Sequence, residues 1–97
     1  MDLQIYENIE RIEGRLLSVV EQQYLCPKEE MYLDVDRIEL SYDERKVNAT
    51  MHVSFGRYGQ NLSESERWRK ELELPLESDN LEFIAGQFFQ ALNDNGL

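Results

Sequence analysis

The sequence predicts an α+β fold in the order α-β-β-β-α: a three-stranded antiparallel meander with two helices packed on one face. Three observations predict it. Apolar residues recur at three- and four-residue spacing over residues 3–24, alternate strictly with polar ones over 47–55, and return to helical spacing over 81–92. A meander with one polar face must hide the other, and two amphipathic helices are available to cover it. The 97 residues suit a single domain, 1–97, since independent domains commonly run about 100–150 residues.

The first helix is predicted from Leu3 to about Tyr24. Ile5, Ile9, Ile12, Leu16, Val19 and Val20 stack on one face. Asp2 can cap its start, and Cys26-Pro27 stops it, because a residue before proline avoids the α region. At about 100° per residue the apolar sector is about 160° wide. Tyr6, Tyr24 and Glu13 fall inside it, and a carboxylate there needs a partner or an exit to water.

Val47, Ala49, Met51, Val53 and Phe55 alternate with Asn48, Thr50, His52 and Ser54, which gives a strand with one buried and one wet face. Ile38, Leu40 and Tyr42 alternate in phase before it, joined by a loop at Asp43-Glu44-Arg45-Lys46. Pairing Tyr42 with Val47 sets Leu40 against Ala49 and Ile38 against Met51. Further back the apolar set jumps phase, to Met31, Leu33 and Val35. A β-bulge near Asp36-Arg37 returns those residues to the core side.

Gly56 to Glu66 reads as a polar loop. In the third strand Trp68, Leu72, Leu74 and Leu76 face inward, while Arg69, Glu71 and Glu73 face outward and Lys70 falls on the inner side. Pro75 suits a strand end or sheet edge. Asp79 is the expected cap of the second helix, with Glu82 completing a capping box. Leu81, Ile84, Ala85, Phe88 and Leu92 form its buried face, and Asn95-Gly96 ends it.

Charge narrows the partner. The net charge is −10, from 20 Asp and Glu against 10 Lys and Arg. Residues 71–97 hold six carboxylates and no Lys or Arg, whereas residues 31–70 balance seven against seven. Such a field repels polyanions and attracts basic partners, so neither nucleic acid nor an anionic membrane is expected as a partner. No apolar run is long enough to span a membrane, and no signal peptide is recognisable at the start. With Cys26 alone, a cytoplasmic location is expected.

Chemical inventory is thin. His52, the only histidine, is expected as an ordinary exposed residue on an open sheet face. Asp34 and Asp36 are spaced like the start of a calcium loop, but the third acid and central glycine are missing. One His and one Cys cannot make a structural zinc site. No cofactor, metal or catalytic residue is therefore expected; Glu13 as a buried base is the remaining enzymatic alternative. In Arg67-Trp68-Arg69-Lys70, the tryptophan is in phase with the core, and Glu64, Glu66, Glu71 and Glu73 offset the cations.

The element order resembles that of double-stranded-RNA-binding domains. The basic start of their second helix would fall on Glu77-Ser78-Asp79-Asn80, which is acidic, so the likeness stops at element order. The expected function is non-enzymatic binding of another protein with a basic surface, as an adaptor or regulator. The candidate residues are Phe83, Phe89, Glu71, Glu73, Glu77 and Glu13. Phe83 lies about 200° around its helix from Leu81, and the wide sector of the first helix could serve a homodimer. The alternatives are a nucleic-acid-mimicking inhibitor of a DNA-binding protein, of phage or mobile-element type, and a homo-oligomeric assembly subunit.

Overall fold

The computed structural model describes residues 9–96. Within them run α1 (Ile9–Tyr24), β1 (Met31–Asp43), β2 (Lys46–Arg57), β3 (Trp68–Leu76) and α2 (Leu81–Asp94), with single 3-10 turns at Lys28–Glu30 and Glu64–Glu66. The sheet is antiparallel in the order β1-β2-β3. The α+β meander with two helices is thus the observed fold. The part of the first helix predicted over residues 3–8, with Ile5, Tyr6 and the Asp2 cap, lies outside the described residues.

One core joins all five elements. Ile12, Leu16, Val19 and Val20 of α1 meet Leu33, Met51, Val53, Phe55 and Leu74 of the sheet and Ile84, Ala85, Phe88 and Leu92 of α2. Met51, Val53 and Phe55 alternate along β2, Leu33 lies opposite Phe55 and Leu74 opposite Met51, so all share one face and both helices cover the same side. α1 ends where Leu25 adopts a left-handed backbone (φ 55°) ahead of Cys26-Pro27. Arg15 Nε and Nη2 each donate to a Glu82 carboxylate oxygen at 3.1 Å, which fixes α1 beside α2. That guanidinium holds the Glu82 carboxyl below the usual range.

The predicted pairing is present: Tyr42 opposite Val47, Leu40 opposite Ala49, Ile38 opposite Met51, with the register shift between Val35 and Arg37. The bulge also answers the Glu13 question. Glu13 Oε2 accepts the Val35 N–H at 2.9 Å, satisfying a donor at the bulge. The extra residue, Asp36, accepts the Ser54 hydroxyl at 3.1 Å. Glu13→Ala is expected to cost about 1–3 kcal/mol by orphaning that amide, and Glu13→Gln less, because an acceptor oxygen remains. Urea unfolding checks the ranking, and equal losses for both variants would refute it.

Two boundaries differ from expectation. The cap of α2 is Asn80, whose Oδ1 accepts the Phe83 N–H at 3.1 Å, rather than Asp79. Glu82 is then the second helical residue, one short of closing a capping box; its carboxylate turns to Arg15 instead. A capping box does occur elsewhere, between Ser63 and Glu66. Also, β2 continues through Gly56 and Arg57 instead of breaking at Gly56. Arg57 is held there by Glu30, with Nη2 at 2.7 Å from its carboxylate.

β3 pairs with β2 only from Ala49 to Arg57, so beyond Ala49 the β1-β2 hairpin continues as a two-stranded arm. The molecule is accordingly elongated, 50 × 24 × 19 Å.

Candidate functional site

The outward face of α2 carries the two aromatics singled out from the sequence. Phe83 and Phe89 are 49% and 47% exposed. They stand about 9 Å apart along the helix and about 120° apart around it, with Gly86 midway. Among the described residues, and apart from the helix's own backbone, no atom lies within 4 Å of where a Gly86 Cβ would sit. A helix-interior glycine costs about 1 kcal/mol relative to alanine, and nothing within the fold requires this one. The result is a bare notch of helix backbone between the two exposed rings. Glu82, Gln90, Asn93 and Asp94 surround it, and α2 contains no Lys or Arg. Gln90 Nε2 donates to Asp94 Oδ1 at 2.9 Å, and Gln23 Nε2 to Asn93 Oδ1 at 3.1 Å.

The second surface is the outer face of the sheet. Glu71 and Glu73 of β3 lie across β2 from Asp34, Arg37 and Glu39 of β1. They help line a groove of about 410 Å³ with Asp36, Arg37 and His52. His52 corrects the expectation of an open, recess-free position. Its side chain is only 14% exposed, with ring nitrogens 3.4 Å from a Glu39 oxygen and 3.5 Å from a Glu73 oxygen. The longer side chains of both flanking strands rise around the central one. Arginine is interleaved with the carboxylates: Arg37 meets Glu39 at 2.8 Å and Arg69 meets Glu71 at 3.1 Å. Among the described residues, no group of three or more His, Cys, Asp and Glu is placed to hold a metal ion.

The candidate residues therefore do not converge. Both helices lie on the core face of the sheet, so Phe83 and Phe89 look out on one side of the molecule and Glu71 and Glu73 on the other. Glu77 is exposed in the link between β3 and α2. Glu13 sits at the seam between α1 and β1, with its carboxylate engaged by the backbone. The basic cluster is divided as expected. Trp68 packs in an aromatic group, 4.7 Å from Tyr24 and 6.2 Å from Phe55 between ring centres, and Lys70 Nζ lies 5.8 Å from the indole centre. Burial of Tyr24 in that group pushes its phenol pKa up.

Sequence reasoning missed two features, Gly86 and the enclosure of His52. Gly86 was legible as the one glycine inside the apolar pattern of the second helix. The enclosure of His52 depends on which side chains flank it across two strands. Among the described residues, no helix is long and apolar enough to cross a membrane. Comparisons with protein families, with curated proteins and with solved structures find no match.

Proposed function

We propose that the chain works, without catalysing a reaction, by binding another protein through the α2 face that carries Phe83, Gly86 and Phe89. The observation that carries this reading is the notch itself: two half-exposed rings astride a glycine that the fold does not need. Paired aromatics of this kind are the usual anchors of an interface, and a glycine between them admits a partner's backbone or side chain closely. The chemistry of the partner follows from the rim. Glu77 and Asp79 precede α2, Glu82 and Asp94 lie within it, and Arg15 pairs with Glu82, so the partner presents an apolar knob ringed by basic residues. Glu71 and Glu73, on the far side, contribute only to long-range attraction. A cytoplasmic setting fits the lone buried Cys26.

The mimic reading is weakened by Arg37 and Arg69, which break the outer carboxylates into ion pairs rather than a phosphate-like array. Burial of α1 between β1 and α2 likewise removes much of the reason for a dimer built on that helix.

The test is affinity capture with the intact chain. Phe83→Ala combined with Phe89→Ala is expected to abolish recovery of the partner, and Glu71→Lys with Glu73→Lys to leave recovery largely unchanged. Gly86→Ala separates binding from folding: it should raise stability by about 0.5–1 kcal/mol while lowering recovery. Undiminished recovery with the double phenylalanine variant would sink the reading.

A further inference from the structure

Among the described residues, the β1-β2 arm has no element packed over its apolar side. Residues 39–48 are all exposed, and Leu40, Tyr42 and Val47 on the helix side of the sheet are 38%, 77% and 40% exposed. A two-stranded ribbon is marginal by itself. One of its long edges, β1, is also an edge of the three-stranded sheet, with no further strand beside it among the described residues. The opposite edge is guarded by Arg69, Glu71, Glu73 and Pro75. β1 carries comparable outward charges at Arg37, Glu39 and Asp43, but from Arg37 to Asp43 it has no proline and no inward charge, and it pairs regularly with β2.

Two geometric facts select what can pair with this edge. Asp43 and Lys46 close a two-residue turn, so they form a hydrogen-bonded pair. By alternation, the backbone groups of Ile38, Leu40 and Tyr42 then point away from β2, toward the open edge. Secondly, the segment Arg37-Ile38-Glu39-Leu40-Ser41-Tyr42-Asp43 is complementary to its own antiparallel copy. With Leu40 opposite Leu40, Ile38 meets Tyr42, Arg37 meets Asp43 and Glu39 meets Ser41. Every apolar residue lies opposite an apolar one, and the charged ends are opposite in sign. The neighbouring registers that keep the edge groups in phase fail: centring on Glu39 sets Glu39 against itself, and centring on Ser41 sets Glu39 against Asp43.

We infer that the free edge of β1 from Arg37 to Asp43 pairs with the same segment of a second copy of this chain, antiparallel about a two-fold axis at Leu40. The product is a closed dimer with a continuous six-stranded sheet, since the bulge at Val35-Asp36 and the turn at Glu44-Arg45 end the pairable stretch on either side. Pairing brings Leu40 and Tyr42 of each copy against Leu40 and Ile38 of the other. It leaves the α2 notch free and is independent of the function proposed for it.

Sedimentation of the full chain across the micromolar range tests this. The expected result is a monomer–dimer equilibrium governed by mass action, with nothing larger than a dimer. Leu40→Pro removes an edge donor that β2 does not use, and it should give a monomer with an unchanged circular dichroism spectrum. Arg37→Asp alone and Asp43→Arg alone should each weaken association roughly tenfold through two repelling pairs per dimer, and the double exchange should restore it. Phe83→Ala should leave association unchanged. A chain monomeric at every concentration, a dimer that survives Leu40→Pro, or a double exchange that fails to restore association would each overturn the inference.

Discussion

Replacing Phe55 by alanine is expected to leave the chain only marginally folded. The ring is fully buried and stands where four elements meet. Its centre is 6.4 Å from Tyr24 of α1, 6.2 Å from Trp68 of β3 and 5.8 Å from Phe88 of α2, edge-on to the last two. Truncating a core phenylalanine costs about 3–5 kcal/mol. A domain of this size has about 5–15 kcal/mol in total, so a large share of the stability goes with one side chain. The melting temperature should fall by roughly 15–30 °C. Phe83→Ala is the control: a half-exposed ring on α2 should cost well under 1 kcal/mol. Thermal and urea melts followed by circular dichroism compare the two. Similar losses for both would mean that Phe55 is not the hub the geometry makes it.

The fold was legible because its strands obey a period that admits one solution. Once Val47 to Phe55 is placed with its apolar face inward, Tyr42, Leu40 and Ile38 can only pair in one phase. The jump to Val35 and Leu33 then demands an extra residue, and Asp36 supplies it. What could not be read was the partner of each polar group. Glu13 lies inside an apolar sector as a seeming misfit, and only the meeting of α1 with the bulged strand turns it into the acceptor of the Val35 amide. The cap of α2 illustrates a different limit. Asp79 and Asn80 are both good caps, and one residue of chain path decides between them.

The candidate surfaces were legible residue by residue but not as an arrangement. Phe83 stands out from a helical wheel alone, whereas Glu71 and Glu73 stand out from strand alternation. Sequence proximity within residues 71–97 suggested one acidic, aromatic surface. The sheet separates them, because β3 turns its carboxylates outward while α2 packs against the inner face. Local charge is a property of sequence; which side of a layer it occupies is set by topology. The uncovered arm arises from a similar cause. Its alternation resembles that of any half-buried strand, and its exposure comes from β3 stopping at Leu76, opposite Ala49.

Gly56→Ala is the second substitution expected to have a large effect, and it probes how closely β2 and β3 are held. Gly56 pairs with Tyr32 on one side and Arg69 on the other. A Cβ there would collide with the Trp68 carbonyl oxygen and lie 2.8 Å from the Tyr32 ring. The ring can swing away, but the carbonyl is backbone and must move with its strand. Relief therefore requires the start of β3 to retreat, loosening Trp68 from Tyr24. Overpacking of this kind costs about 1–3 kcal/mol, and backbone obstruction favours the upper end. Trp68 is the only tryptophan, so its near-ultraviolet dichroism should weaken in parallel with stability. Tyr32→Ala distinguishes the two obstacles. If the carbonyl is the obstacle, Gly56→Ala costs nearly as much in the Tyr32→Ala background. If the penalty vanishes there, the ring is the obstacle and the spacing of β2 and β3 is softer than the close approach at Gly56 implies.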